Sequence, residues 1–235
     1  MALGREKFKV YGDVFDAFTI QALQKLESQG YIDELVSSLS LGKEAHIFLA
    51  RRKDGTKVIV KIYRLQNAFF NKMFSYIRTD PRYGHLKGKK RQIIFHWVQR
   101  EFRNLLKARE AGVRVPTPYT VLHNILVMEY IGDEEGIALQ VKNASITDPQ
   151  SFVDEVLEQT KILYQKGMIV HGDLSIFNIL CFNQKPVLID MSQSTVHTDP
   201  NAKEYLQRDV INIQSLAKRL GVEISTEEIM QKITQ

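Results

Sequence analysis

The sequence predicts an α+β chain, with mostly antiparallel strands in its first part and mainly helices in its second, which length alone leaves as one domain or two small lobes. Three observations carry this. From Leu35 to Tyr63 apolar residues come in short runs broken by turn signals, the mark of strands and hairpins. From Gln92 to Ala111, and again after Asp148 and Asp199, they recur every three or four residues, the mark of helices. Between the last two lies Ile169 to Asp190 (IVHGDLSIFNILCFNQKPVLID), where three apolar runs read as short buried strands and the turns between them display Asp173, Asn178 and Asp190. The division that follows is a helical extension over 1–34, a first lobe over 35–132 with an insertion at 66–92, and a second lobe over 133–235.

A chain of 235 residues with 44% hydrophobic content can bury a proper core. Its one cysteine, Cys181, excludes an internal disulfide, and the histidines show no metal-ligand spacing, so no zinc site is expected. No signal peptide and no apolar run of membrane-spanning length is present, which points to the cytoplasm and to no membrane partner. The net charge of +5 is unevenly spread. Between Gln66 and Gln92, Lys72, Arg78, Arg82, Lys87, Lys89, Lys90 and Arg91 face the single anion Asp80.

Taken in order, Ile20, Leu23 and Leu26 place a helix from Thr19 to Gln29, with Thr19 as its N-cap and Gly30 as its stop. Strands follow from Leu35, from Ala45 to Leu49 and from Val58 to Ile62, the last two joined at Asp54-Gly55. Between the first two, Ser40-Leu41-Gly42-Lys43-Glu44-Ala45 forms a turn that presents backbone N–H groups and the Lys43 ammonium, the groups phosphates need. With one glycine it is neither a G-x-G-x-x-G loop nor a Walker A sequence, and a plain surface turn is the alternative.

Lys61 interrupts a β-branched run, where a buried ammonium is costly without an anion. In the next helix Glu101 shares a stripe with Ile94, Trp97, Leu105 and Ala108 by steps of three and four. An ion pair between them is the expectation, with an exposed lysine on an edge strand as the bland alternative. The insertion that separates them interleaves Phe69, Phe70, Met73, Phe74, Tyr76 and Tyr83 with cations, which suits base stacking and phosphate neutralisation, or a solvated loop.

Gly112 ends that helix, and two strands follow around His123-Asn124, the second running from Ile125 through Tyr130 to Ile131-Gly132. In the second lobe Asp148-Pro149 opens a helix with Phe152, Val153, Val156, Thr160, Leu163 and Tyr164 inward, ending at Gly167. Asp199-Pro200 opens another with Leu206, Val210, Ile213, Leu216 and Leu220 inward, ending at Gly221, and Ser225 to Glu228 is a capping box. Two carboxylates and an amide displayed by the 169–190 stretch suit a hard divalent ion that takes its remaining ligands from nucleotide phosphates and water. Asp190 and Asn178 would reach the metal, and Asp173 would orient an attacking hydroxyl or water.

The spacing D-L-x-x-x-x-N, a hairpin and a strand ending in Asp resemble the catalytic and metal-binding loops of protein kinases, and Lys61, Glu101, Asp173, Asn178 and Asp190 stand in kinase order. The departures are informative. Gly172 stands where Arg precedes the catalytic Asp, Met191-Ser192 replaces Phe-Gly, no Ala-Pro-Glu follows, and only 45 residues come after Asp190. HGDLS with a later IDMSQS is similar to the RIO family of atypical kinases, RIO one branch, over about Gly30 to Leu220. SLGKEA resembles that branch's STGKEA loop, with Leu41 for Thr and, just beyond it, His46 for Asn.

The resemblance implies a two-lobed kinase-like fold without an activation loop or peptide-substrate elements, and ATP with Mg²⁺ or Mn²⁺. Ser40, Gly42, Lys43, Glu44 and Ala45 would hold phosphates, and Lys61 with Glu101 the α- and β-phosphates. Asn178 and Asp190 would hold the metal, and Asp173 would serve the acceptor. The stretch Ile125 to Gly132 resembles the kinase hinge, with backbone near Glu129 and Ile131 on adenine and with Met128 and Val60 around the ring. Arg208-Asp209 resembles the family's RDV(x)NI element, whose aspartate braces the catalytic loop, a surface ion pair being the alternative; His171 would pack beneath that loop. Autophosphorylation, serine/threonine phosphoryl transfer and an ATPase cycle through a phosphorylated Asp190 are implied. So is a part in small ribosomal subunit maturation, with RNA or a pre-ribosomal particle on the 66–92 segment. The rival reading is a nucleotide-gated RNA-binding module in which hydrolysis drives release.

Overall fold

The computed structural model describes residues 15–65, 70–79 and 90–235. The N-terminal residues 1–14 and much of the basic insertion, including Phe69, Arg82, Tyr83, Lys87 and Lys89, lie outside the described residues. The described residues of 1–75, 86–102 and 117–130 form one compact unit, and those of 76–85, 103–116 and 131–235 a second.

The first unit is built on an antiparallel sheet of β1 (Glu34–Leu41), β2 (Ala45–Arg51), β3 (Lys57–Tyr63), β4 (Pro118–Leu122) and β5 (Ile125–Glu129), in the order β1-β2-β3-β5-β4. β3 lies at its centre, and every residue from Val58 to Tyr63 is buried. Strand alternation divides them between two faces. Val58, Val60 and Ile62 join a cluster with Phe48, Ile125, Val127 and the inward residues Ala22, Leu23 and Leu26 of α1 (Ala17–Ser28). Burying each such leucine contributes about 1.5–3 kcal/mol, so α1 is part of this core. Asn124, at the β4–β5 turn, ties the helix on by donating to Thr19 Oγ1 at 3.0 Å and to the Tyr63 carbonyl at 2.8 Å. The helix starts earlier than its apolar spacing implied: Asp16 is the N-cap, accepting from Thr19 N–H at 2.8 Å, and Thr19 is buried within the first turn. Asp caps as well as Thr, and an apolar pattern that begins at Ile20 does not fix which polar residue before it is the cap.

Two further helices in this part of the chain are α2 (Phe70–Thr79) and α3 (Lys90–Ala111). The latter begins two residues before the first residue its pattern marked, in a basic turn that the apolar pattern does not cover.

In the second unit the three apolar runs of the 169–190 stretch do not share one sheet. β7 (Ile169–Val170) pairs with β10 (Thr195–Val196), whereas β8 (Ile179–Phe182) pairs with β9 (Lys185–Leu188) and, on its other edge, with β6 (Leu139–Gln140). Runs this short carry no partner information, since buried strands of either sheet look alike in sequence. α4 (Pro149–Gln165) supports them, capped by Asp148 on Ser151 N–H at 3.0 Å with proline in its first turn. Its buried Gln159 reaches both the Pro186 carbonyl and the Arg114 N–H. α5 (Ala202–Arg219) and α6 (Thr226–Thr234) complete the unit. Asp199 does not cap α5 directly; its carboxylate accepts from Asn201 N–H and Thr195 Oγ1, closing the turn before the helix, and Asn201 is the N-cap residue. The capping box at Ser225 and Glu228 is present. Among the described residues no helix is long and apolar enough to cross a membrane.

Candidate active site

On the face of β3 opposite the α1 cluster stand Ile59, Lys61 and Tyr63. Lys61 is 5% exposed, and Glu101 of α3 is 1% exposed. The ammonium lies 2.8 Å from Glu101 Oε1, and the phenol of Tyr63 donates to Oε2, so each carboxylate oxygen has a donor. Ile94, Trp97, Leu105 and Ala108 are buried along the same helix. Tyr63 was missed in the sequence; its only signal is parity, two residues beyond Lys61 on a strand.

That parity also corrects the residue expected around an adenine ring. Val60 is fully buried in the α1 cluster, whereas Ile59 lies on the Lys61 face and is paired across strands with Met128. A strand shifts every side chain to the other face with a one-residue step, so neighbouring valine and isoleucine are interchangeable in composition but not in direction. Glu129 spends its carboxylate on Thr117 N–H and Oγ1, at 2.9 and 2.8 Å, and its own N–H on the Thr117 carbonyl. In the second unit, the Ile131 carbonyl accepts from Ala138 N–H.

The turn between β1 and β2 is shorter than its six-residue motif, because Ser40 and Leu41 end β1 and Ala45 begins β2. A Cβ on Gly42 would fall 2.8 Å from the Ala45 carbonyl oxygen, so only glycine closes it. Lys43 is exposed, and the Glu44 carbonyl is tied to Arg64 N–H at 3.0 Å.

In the second unit the loop after β7 is held from several sides. Gly172 has φ +80°, and a Cβ there would meet the Gln193 carbonyl oxygen at 3.1 Å, which accounts for glycine at this departure from the ordinary kinase pattern. The fully buried Asp209 accepts from Gly172 N–H at 2.8 Å and Leu174 N–H at 2.9 Å. Arg208 donates to the Gly172 carbonyl and to Tyr76 Oη. The pair is therefore a brace on the loop, not a surface ion pair. Burial pushes the Asp209 carboxyl up to about 7, against the opposing pull of the two N–H donors and Arg208. His171 donates from Nε2 to the Ile189 carbonyl at 3.1 Å and accepts Asp173 N–H on Nδ1 at 3.3 Å, a pattern that requires the neutral ring. Burial lowers its pKa to about 4.

Asp173 and Asn178 touch in this unit, and Asp190 directly follows Ile189, whose N–H is bonded to the Asn178 carbonyl. The Asn178 amide nitrogen donates to the Asp173 carbonyl at 2.8 Å and to its Oδ2 at 3.1 Å, and the Asn178 carbonyl accepts from Ile189 N–H. Asp190 sits at φ +60°, a left-handed conformation that aspartate tolerates better than most residues. Ser192 Oγ donates to its Oδ1 at 2.7 Å. Two residues missed in the sequence complete the frame. Gln193 donates to Asp173 Oδ2 at 3.0 Å, and the buried Asn104 donates to the carbonyls of Met191 and Ser194, both at 2.8 Å, fixing the backbone just after Asp190. IDMSQS contained the first of these, but nothing in its spacing aimed Gln193 at Asp173.

Among the described residues no group of three or more His, Cys, Asp or Glu gathers to hold a metal alone. Asn178 and Asp190 offer an amide oxygen and a carboxylate, hard donors too few for a closed protein cage. That set fits Mg²⁺, which keeps waters and takes substrate phosphates, and does not fit zinc.

A central sheet with a buried Lys–Glu pair, and a helical unit carrying an Asp–Asn loop before a hairpin that ends in Asp, define a protein-kinase-like α+β fold. A family model described as RIO domain matches residues 46–230. The chain is 37% identical over 229 residues to the RIO-type serine/threonine-protein kinase Rio1 of Haloferax volcanii, covering 97% of this chain and 79% of that one. It is 36% identical over 229 residues to the enzyme of that name from Methanocaldococcus jannaschii, covering 97% and 78%. The fold is similar to the crystal structure of the Rio2 kinase-ADP/Mg²⁺-phosphoaspartate complex from Chaetomium thermophilum, with TM-score 0.73, 22% identity, and coverage of 94% of this chain and 68% of that one. The chain belongs to the RIO-type serine/threonine-protein kinases.

Proposed function

We propose that this kinase transfers the γ-phosphoryl group of ATP to a serine or threonine hydroxyl, and that its working partner is a pre-ribosomal particle or its RNA in the cytoplasm. The observation that carries the phosphoryl-transfer reading is the buried ion pair of Lys61 and Glu101, a desolvated cation held in one place for nucleotide phosphates. Lys43 and the N–H groups of the Ser40 to Ala45 turn add phosphate donors. Ile59 and Met128, with backbone at Glu129 and Ile131, would receive the base.

Asn178 Oδ1 and the Asp190 carboxylate would hold Mg²⁺, or Mn²⁺ in its place, which when bound neutralises phosphate charge. Asp173 orients the acceptor hydroxyl and takes its proton, with Oδ2 steadied by Gln193 and Asn178. In an ATPase cycle a carboxylate oxygen of Asp190 bonds to the γ-phosphorus as the bond to ADP breaks, and water then cleaves the acyl phosphate. The phosphoaspartate of the Chaetomium thermophilum complex supports that step for this chain.

A second reading, a nucleotide-gated RNA-binding module, is favoured by the cations Lys72, Arg78, Arg82, Lys87, Lys89, Lys90 and Arg91 gathered in one stretch of the sequence. ATP hydrolysis with and without ribosomal particles, measured beside transfer to protein, separates the two. Stimulated hydrolysis with no protein transfer selects the module; efficient transfer with unstimulated hydrolysis removes it. Asp173→Ala is expected to abolish turnover and spare nucleotide binding, and equal loss of both refutes its role. Neutralising Lys87, Lys89, Lys90 and Arg91 is expected to flatten the salt dependence of RNA binding by about 0.7 in log–log slope per lost phosphate contact. An unchanged slope removes this segment from the RNA interface.

A further inference from the structure

The residue just before Asn178 is an outward-facing phenylalanine, and the way it is held suggests a use. Phe177 is 53% exposed, although its loop neighbour Leu174 is fully buried. Its exposure is not the consequence of a slack loop. Asn178 N–H bonds to the Ser175 carbonyl at 2.8 Å, closing a turn with Phe177 at its corner. Gln140 Nε2 donates to the Phe177 carbonyl at 2.6 Å, and the neighbouring backbone is stitched to the same segment by Lys142 N–H on Ile176 and Val141 N–H on Ile179. The Lys142 ammonium stands 4.8 Å from the centre of the ring, within cation–π range. Arg219 donates to the Lys142 carbonyl at 3.0 Å, bringing a second cation to the corner. An exposed aromatic ring on a fixed backbone, with one cation against it and a second on that cation's own backbone, is carried one residue from Asn178, whose amide touches Asp173.

We propose that Phe177, Lys142 and Arg219 form the surface that selects the phosphoacceptor, an acidic serine- or threonine-bearing protein segment with an apolar side chain close to the acceptor. This rests on the phosphoryl-transfer reading and names its substrate class. The ring is carried on the same loop as Asp173, next in sequence to the Asn178 whose amide touches it, and consecutive extended residues advance about 3.3–3.6 Å, so the side chain it would take is one a few residues from the acceptor. The ring takes the apolar side chain, and the two cations take carboxylates. Charge complementarity selects this occupant over a basic peptide, which Lys142 and Arg219 repel.

The test uses the full chain and three synthetic peptides: an acidic serine peptide flanked by leucine, the same peptide flanked by alanine, and a leucine-flanked peptide with lysines replacing its acids. Transfer from ATP is measured beside hydrolysis without acceptor. Wild type is expected to favour the first peptide. Phe177→Ala should lower kcat/KM for it by about tenfold while changing the alanine-flanked peptide little. Lys142→Glu should raise the basic peptide relative to the acidic one, and acceptor-independent hydrolysis should stay within about twofold in both variants. Equal transfer by wild type and both variants would overturn the proposal, as would parallel loss of hydrolysis and transfer to all three peptides. Loss of RNA binding in Phe177→Ala with peptide selectivity intact would overturn it in favour of an RNA surface. Failure of the phosphoryl-transfer reading itself shows differently, as a wild type that hydrolyses ATP but phosphorylates no acceptor, and it removes this proposal as well.

Discussion

Asp209 holds Asp173 from both sides, since its two carboxylate oxygens accept the N–H groups of Gly172 and Leu174, the residues flanking Asp173 in sequence, at 2.8 and 2.9 Å. Burial raises its pKa from 3.8 to about 7. The folded state therefore holds the proton more firmly than the unfolded one. The contribution to stability is fully present below the ordinary carboxyl value and is lost as pH rises through about 7. Urea unfolding of Asp209→Asn across this range is expected to lack that decline. A decline equal to that of the parent would show that Asp209 is ionised throughout.

His171 works in the opposite direction. Its pKa falls from 6.5 to about 4 because the buried ring resists charging, so its contribution is present above 6.5 and is lost as pH falls through about 4. Between these values the two groups offset each other. Asp209→Asn should consequently expose a steeper acid loss than the parent shows, and His171→Gln a shallower one. The same pH titration of His171→Gln checks this; an acid limb identical to the parent's would contradict it.

Removing one partner of a buried ion pair such as Lys61–Glu101 takes the counter-ion from the other, a cost of about 3–5 kcal/mol. Glu101→Ala should be more damaging than Lys61→Met, because it removes an acceptor from both the ammonium and the Tyr63 hydroxyl. The double variant Lys61→Met with Glu101→Leu should recover much of the stability lost in Glu101→Ala while remaining inactive. Denaturant midpoints beside nucleotide-binding titrations measure both effects, and a double variant no more stable than Glu101→Ala would argue against the stranded charge.

Gln193 acts on Asp173 from 3.0 Å. Gln193→Leu should slow transfer by about 10- to 100-fold through a misplaced carboxylate, with nucleotide affinity retained. Gln193→Glu puts a second carboxylate against the first and should move the acid limb of the pH–rate profile upward, because like charges disfavour ionisation. An unmoved profile in Gln193→Glu would leave Gln193 as packing alone.

The parts of the site that were legible in sequence are those whose residue type conflicts with its surroundings. Lys61 in a β-branched run and Glu101 on an apolar stripe each demand a partner, and each is the other's. Asp173, Asn178 and Asp190 were visible because the D-L-x-x-x-x-N spacing is followed by a hairpin whose second strand runs into Asp190. Thr19 was read as the cap that Asp16 supplies because either residue type can cap a helix, and Val60 was taken for Ile59 because apolar neighbours on a strand differ only in direction.

From the amino acids alone came the main strands and helices and the charged groups that burial would force together, which follow from local periodicity and the cost of desolvation, and the family resemblance, which follows from motif spacing; the helix at Phe70–Thr79 and the short strands at Leu139–Gln140 and Thr195–Val196 did not. Only the tertiary structure decided that Tyr63 completes Glu101, that β7 pairs with β10, that Asn104 clamps the backbone after Asp190, and that Gln193 reaches Asp173. The physical reason is distance along the chain: Asn104 bonds Met191 across 87 positions. A neutral amide makes no demand that reveals its partner until folding brings the two together.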